Sequence, residues 1–307
     1  MSEWGIGVDI GGTHICSAAV NLQTGEVLKE SEFNLDVNHE WPKSDILEKW
    51  RACINQSIST LKYEQKIKGI GFAFPGPFNY KDGISMMDHK FVSLYKCDIS
   101  SLLKPLILLE ESSVLRFIND ASAFGIGECW KGMGSTSSKV ILCTLGTGFG
   151  SVFMDDLQPI IDRDDVPSEG CLWHLKFHQG IADEYFSTRW FVREYKKRTG
   201  RKISGAREIF HHTNDVVAQE IMNEFTDNLA TFLGPWIQKF KADQLVFGGS
   251  IARSLQLFKP RLLEKFSGQG ISIKVQESSL KEKAAIIGAA KILEEDCWNK
   301  VKNSLGK

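Results

Sequence analysis

The chain predicts an α/β fold of two similar lobes with a central cleft, on three observations. Three glycine turns, Asp9-Ile-Gly-Gly-Thr13, Leu145-Gly-Thr-Gly-Phe-Gly150 and Phe247-Gly-Gly-Ser250, each follow a run that reads as a buried strand. Strand patterns alternate with long helical ones. The 307 residues, 42% of them hydrophobic, suffice for two packed cores.

The first turn lies between the strands Trp4–Asp9 and His14–Val20, and the second between Lys139–Leu145 and Phe149–Met154. A strand ending in glycines brings backbone N–H groups close to a phosphate, because glycine tolerates positive φ and has no side chain to exclude the ligand. Small residues in a hairpin also serve purely structural ends. Two hairpins of matching layout, far apart in sequence, point to phosphate. No G-x-x-x-x-G-K-[ST] loop is present, and neither hairpin turn opens a helix as a dinucleotide fingerprint does.

The remaining elements follow in order. Val27–Leu35 reads as a third antiparallel strand after the turn at Asn21–Gly25. Ile46, Leu47, Trp50, Ile54, Ile58 and Leu61 recur at helical spacing behind Ser44, an N-cap candidate. Lys68–Phe74 and Val114–Ile118 are further buried strands, and Ala121–Cys129 is a helix. In the second half, Ala182–Thr199 and Val216–Lys241 read as long helices, with Phe225, Phe232 and Trp236 on the core face, and Gln244–Phe247 as a strand. A boundary is expected near Ile118, giving a first lobe of 1–118 with a returning helix at 291–307, and a second lobe of 119–290.

Net charge is −1 with acids and bases interspersed, so no basic field invites nucleic acid and no charged tail suggests a membrane surface. With no apolar leader before Trp4, a cytoplasmic protein is expected. The seven cysteines are an odd number without a C-x-x-C pair, and they read as buried free thiols of a reducing compartment.

Along its whole length the chain resembles the ROK family (repressor, open reading frame, kinase) of the actin, sugar kinase and heat-shock ATPase superfamily. Six motifs carry the resemblance in order: Asp9-Ile-Gly-Gly-Thr13, Phe74-Pro-Gly-Pro77, Asn119-Asp-Ala-Ser-Ala-Phe-Gly125, Leu145-Gly-Thr-Gly148, Phe247-Gly-Gly-Ser-Ile251 and Ala284-Ala-Ile-Ile-Gly-Ala-Ala290. It implies two actin-like (ribonuclease H-like) lobes and an ATP- and Mg²⁺-dependent sugar kinase that acts on a hexose, at the 6-hydroxyl, as a homodimer.

Phosphoryl transfer to a hydroxyl needs a carboxylate to orient it and take its proton. The resemblance gives that role to Asp120, at the carboxyl end of a strand where open α/β sheets bind ligands; helix capping is the other reading of Asn119-Asp120. It also implies that Asn119 and Gly76 bind sugar, and that Gly11, Gly12, Thr13, Gly146, Thr147 and Gly148 hold the phosphates. Gly248 and Gly249 then admit the adenosine, and Asp9 holds hydrated Mg²⁺. A strand-end aspartate is otherwise a turn former, and a glycine pair also opens a helix.

Three departures stand out. The family's Glu-x-Gly-His sugar motif is here Cys171-Leu-Trp-His174, so Cys171 replaces the glutamate, and Glu169, two residues earlier, is the substitute candidate. His174 is expected to contact sugar, against simple stacking on Trp173. Asp183 matches another sugar-binding glutamate, with Glu184 the competitor. The cysteine-rich zinc loop of many members is missing, and although Cys171, His174 and His178 have a C-x₂-H-x₃-H spacing, a fold without structural zinc is expected. His14 stands where the family usually has lysine, and His89-Lys-Phe91 resembles a substrate-loop segment but defaults to a solvated loop. The rival reading is a catalytically weak sugar-binding sensor or regulator without a DNA-binding domain; an actin-like ATPase with a protein partner is a third.

Overall fold

The computed structural model describes residues 3–62, 65–110, 113–211 and 215–305. In chain order its strands and helices are β1 (Glu3–Ile10), β2 (His14–Asn21), β3 (Phe33–Asp36), α1 (Lys43–Ser59), β4 (Lys66–Phe74), β5 (Phe78–Asn79), β6 (Ile84–Ser85), α2 (Ile99–Leu103), β7 (Val114–Asn119) and α3 (Asp120–Lys131). There follow β8 (Lys139–Leu145), β9 (Phe149–Asp155), β10 (Gln158–Pro159), β11 (Lys176–Phe177), β12 (Gly180–Ile181), α4 (Ala182–Tyr185), α5 (Thr188–Thr199), α6 (Ala206–His211) and α7 (Val216–Phe240). The chain closes with β13 (Gln244–Gly248), α8 (Leu255–Gly268), β14 (Lys274–Glu277), α9 (Lys283–Lys291) and α10 (Glu295–Val301).

The duplication expected from the glycine turns appears in the sheets. One runs β3-β2-β1-β4-β7 and the other β10-β9-β8-β13-β14. In each, an antiparallel pair (β1 with β2, β8 with β9) leads into two parallel neighbours on the other side. The central strands β1, β4, β8 and β13 are largely apolar, as strands covered on both faces must be: Ile6, Val8, Ile70, Phe72 and Phe74 are fully buried in one sheet, and Ile141, Cys143, Leu245 and Phe247 in the other.

Two compact units result, 1–131 with 282–307, and 132–281. The division falls after α3 and before α9, whereas the sequence suggested 118 and 290. The reason is close packing of α3 on α9. A Cβ at Gly127 would lie 2.0 Å from the Ala284 carbonyl oxygen, and one at Gly288 only 1.8 Å from that of Ala123. Backbones this close admit no side chain, so α3 and α9 form one packed layer of the first unit.

The first unit's core gathers Trp50, Phe72, Phe74, Phe78 and Phe91. The second gathers Phe149, Phe153, Phe186, Trp190, Phe225 and Phe247, with Phe232 buried and Trp236 partly so.

Local expectations fail at three places. Ser44 is not the N-cap of α1; Pro42 takes that position without a side-chain bond, and the Ser44 hydroxyl donates to Asp45 (2.8 Å). The strand expected over 27–35 is reduced to Phe33–Asp36, because Lys29–Ser31 forms a 3₁₀ turn whose Ser31 hydroxyl is drawn inward to accept from the Ala19 N–H (2.8 Å). The helix expected over 182–199 breaks at Ser187, which is extended (φ −116°, ψ 164°). The break lets Phe186 enter the core and frees the Thr188 N–H to donate to the Gly146 carbonyl (2.7 Å).

Candidate functional site

In the first unit, β1, β4 and β7 are parallel neighbours, and their carboxyl ends bring sequence-distant candidates to one edge. Asp9 lies beside Ala73, and Phe74 beside Asn119. Asp9, the Gly11–Thr13 turn, Gly76, Asn119 and Asp120 therefore share the sheet edge at which this class of fold binds ligands.

Asn119 does cap α3: its Oδ1 accepts from the Ala121 (3.0 Å) and Ser122 (3.2 Å) N–H groups. Its amide nitrogen donates to the Tyr80 hydroxyl (3.2 Å), which donates to the Phe74 carbonyl (3.0 Å). The Asn119 side chain is thus pinned at both ends of its amide. Asp120 Oδ1 accepts from the Ala121 N–H (2.8 Å). Burial pushes the Asp120 carboxyl above its ordinary range, with the Ala121 N–H and the Lys90 ammonium pulling the other way.

Asp9 is pushed up to about 7, first by burial and then by the negative charge of Asp120. Two partly buried carboxylates that repel one another take up a proton or a cation, so the donor set at Asp9 fits a hydrated divalent ion. No cluster of three or more His, Cys, Asp or Glu side chains suited to a metal occurs among the described residues; at Asp9 an ion would need phosphate oxygens and water as its other ligands.

The raised Asp9 value also fixes a sign. The native state holds this proton more tightly than the unfolded chain, whose carboxylate sits near 3.8, so Asp9 erodes stability as pH rises from about 4 to about 7. Asp9→Asn should therefore gain more stability over the unsubstituted protein at about pH 8 than at about pH 5, read by urea denaturation in metal-free buffer. Equal gains at both would show that Asp9 is not held protonated by its surroundings.

The His14 imidazole rests on Gly11, where a Cβ would lie 2.5 Å from a ring carbon. The two phosphate-turn candidates differ in size: Ile10 pairs with Ile15 but Leu145 with Phe149, so the second is one residue shorter.

In the second unit, Gly146, Thr147 and Gly148 sit beside Gly248 and Gly249. The Ile251 N–H donates to the Leu145 carbonyl (2.9 Å). Gly249 has φ +88°, and a Cβ there would stand 2.4 Å from the Leu145 oxygen, so no other residue fits that turn.

Asp183 belongs to the same group. Its Oδ1 accepts from the Phe149 N–H (2.7 Å), while Oδ2 pairs with Arg189. Oδ1 thus holds the end of the second turn and Oδ2 meets the first turn of α5, a job the sequence did not disclose. Arg189 was not singled out, since a surface arginine in a helix carries no signal. Glu184 bonds the Ile181 N–H (3.1 Å) and closes the first turn of α4.

Glu169 is exposed, in a one-turn 3₁₀ segment with φ +62°. Cys171 Sγ lies 3.6 Å from His174 Nδ1, and His174 meets Trp173 edge-on at 5.3 Å between ring centres. His178 instead pairs with Asn228 (3.3 Å). All seven cysteines are free; Cys16, Cys97 and Cys171 are partly exposed and the other four buried.

Two five-stranded sheets of the same order, each with a glycine turn after its first strand, define a protein with the actin-like fold. The chain belongs to the ROK family, whose model matches residues 5–296. It is 27% identical to a glucokinase of Thermotoga maritima over 94% of this chain and 97% of that one. It is 26% identical to an N-acetyl-D-glucosamine kinase of Haemophilus influenzae, over 82% and 86% of the two chains. Among solved structures, a ROK family glucokinase from Streptomyces griseus in complex with glucose and AMPPNP superposes with a TM-score of 0.74 at 21% identity, covering 94% of this chain and 98% of that one. Among the described residues no helix is long and apolar enough to cross a membrane.

Proposed function

We propose that the chain is an ATP-dependent sugar kinase that phosphorylates a hexose hydroxyl, the 6-hydroxyl, working as a cytoplasmic homodimer. The observation that carries this reading is Asp120 at the carboxyl end of β7, sharing a sheet edge with Asp9 and the Gly11–Thr13 turn. Membership of a family with kinase relatives supports it.

In the proposed reaction Asp120 orients the sugar hydroxyl and accepts its proton. The hydroxyl oxygen forms the new bond to the γ-phosphorus, the bond to the β,γ-bridging oxygen breaks, and its electron pair leaves with ADP. The raised proton affinity of Asp120 suits a general base, whose value should approach the working pH. Asn119, Gly76, His174, Glu169 and Asp183 are proposed to bind sugar. The Gly11–Thr13 and Gly146–Gly148 turns take the phosphates, and Gly248 and Gly249 the adenosine. Mg²⁺ at Asp9 would neutralise charge on the β- and γ-phosphates.

The relatives act on different sugars, glucose and N-acetylglucosamine, and Cys171 cannot accept two hydroxyl hydrogen bonds as a carboxylate does. An ADP-release assay with ATP and Mg²⁺ across hexoses, amino sugars and N-acetylated sugars should therefore single out one class. Sugar binding without ADP release anywhere on the panel would instead favour the sensor reading.

A further inference from the structure

Lys90 lies in the segment between β6 and α2, which the sequence leaves as a solvated loop. The structure ties that loop down immediately beside it. Phe91 is fully buried, in a left-handed conformation (φ 49°), with its ring 5.5 Å from Trp50 and 6.1 Å from His39. Leu94 is a second buried anchor, and the Ser93 hydroxyl donates to the Trp41 carbonyl (2.9 Å). A non-glycine residue at positive φ is uncommon and is kept by surrounding contacts; here its effect is to hold Lys90 in place.

Lys90 itself is exposed and makes no hydrogen bond or ion pair among the described residues; the neighbouring Asp88 pairs with His89 instead. Its stem reaches the first phosphate turn, since a Cβ on Gly12 would lie 4.0 Å from Lys90 Cδ. Its charge is felt at Asp120. An uncommitted ammonium thus sits within reach of both the turn assigned to phosphate and the assigned base, beside two carboxylates whose field repels an incoming polyphosphate.

The geometry points to Lys90 as the residue that contacts the phosphoryl group during transfer to the sugar. This rests on the kinase reading above. As the γ-phosphorus moves from the bridging oxygen of ATP to the hydroxyl oxygen, and the hydroxyl proton passes to Asp120, the ammonium offsets charge on the equatorial oxygens; it forms no covalent bond and keeps its own protons.

The test compares the unsubstituted protein with Lys90→Met, which keeps the stem, and Lys90→Arg, which keeps the charge, after thermal melts show all three folded. Lys90→Met should lower kcat roughly 100-fold with little change in sugar KM, and Lys90→Arg should recover part of the loss. A Lys90→Met kcat within about twofold of the unsubstituted value overturns the assignment. Should the unsubstituted protein phosphorylate no sugar on the panel, the kinase reading fails by itself. Calorimetric titration with AMPPNP and with ADP, each with Mg²⁺, then decides Lys90: loss of the preference for AMPPNP in Lys90→Met supports a γ-phosphate contact, and an unchanged preference refutes it.

Discussion

Replacing Asp120 with Asn should lower the kcat of sugar phosphorylation roughly 1,000-fold while leaving the protein folded and able to bind nucleotide. The substitution is close to isosteric, and an amide oxygen can still accept the Ala121 N–H bond now made by Asp120 Oδ1 (2.8 Å). The start of α3 is held independently by Asn119, which accepts from Ala121 and Ser122. What disappears is the ability to take a proton from the attacking hydroxyl. Thermal melting and calorimetric titration with AMPPNP provide the controls, and the ADP-release assay the readout. Turnover at the unsubstituted rate would sink the role of Asp120 as base, whatever the sugar.

The largest structural effect is expected at Gly288, where two physical arguments give opposite signs. Gly288 lies inside α9, and on helix propensity alone alanine should stabilise it by about 1 kcal/mol. A Cβ there, however, would stand 1.8 Å from the Ala123 oxygen and 2.8 Å from the Gly127 nitrogen. Both are backbone atoms of α3, which cannot swing aside as a side chain could. Packing should win, so Gly288→Ala should lose about 2–3 kcal/mol net. The urea midpoint measures this directly; a neutral or stabilised protein would mean that the helices have room to separate at no cost.

Features resting on local rules were legible in the sequence. β1, β2, β8, β9 and β13 were placed within a residue or two, because each is an apolar run that adjoins a glycine turn. Their recurrence also pointed to two similar lobes, each built on one of the two sheets. Asn119-Asp120 after a buried strand was legible as a helix start; the catalytic role of Asp120 came only from the family resemblance.

Features set by tertiary contact were not legible. The break between α4 and α5 depends on Phe186 finding a pocket in the core and Thr188 finding the Gly146 carbonyl; neither leaves a trace in the spacing of 182–199. The engagement of Asp183 with Phe149 and Arg189 has the same origin, as does the position of Lys90, fixed by an aromatic neighbour whose burial no periodicity announces. The unit division differs from the expected one for a related reason: α3 follows β7 without a pause, and only the face it shows to α9 groups it with the first unit.

That assignment bears on how the polypeptide comes off the ribosome. Residues 132–281 are one uninterrupted stretch, while the unit around them needs both 1–131 and 282–307. The inserted unit can complete its core as soon as it has emerged, as domains made during synthesis do. The surrounding unit cannot: β1, made before 132–281, must wait with Gly7 uncovered until Ile286, whose carbonyl lies against it, has been translated. Loop-closure entropy grows only slowly with chain length, so a pre-folded insert leaves the final equilibrium little changed. It lengthens the interval in which an apolar sheet stands bare, and a slow last step in refolding should be the docking of α9.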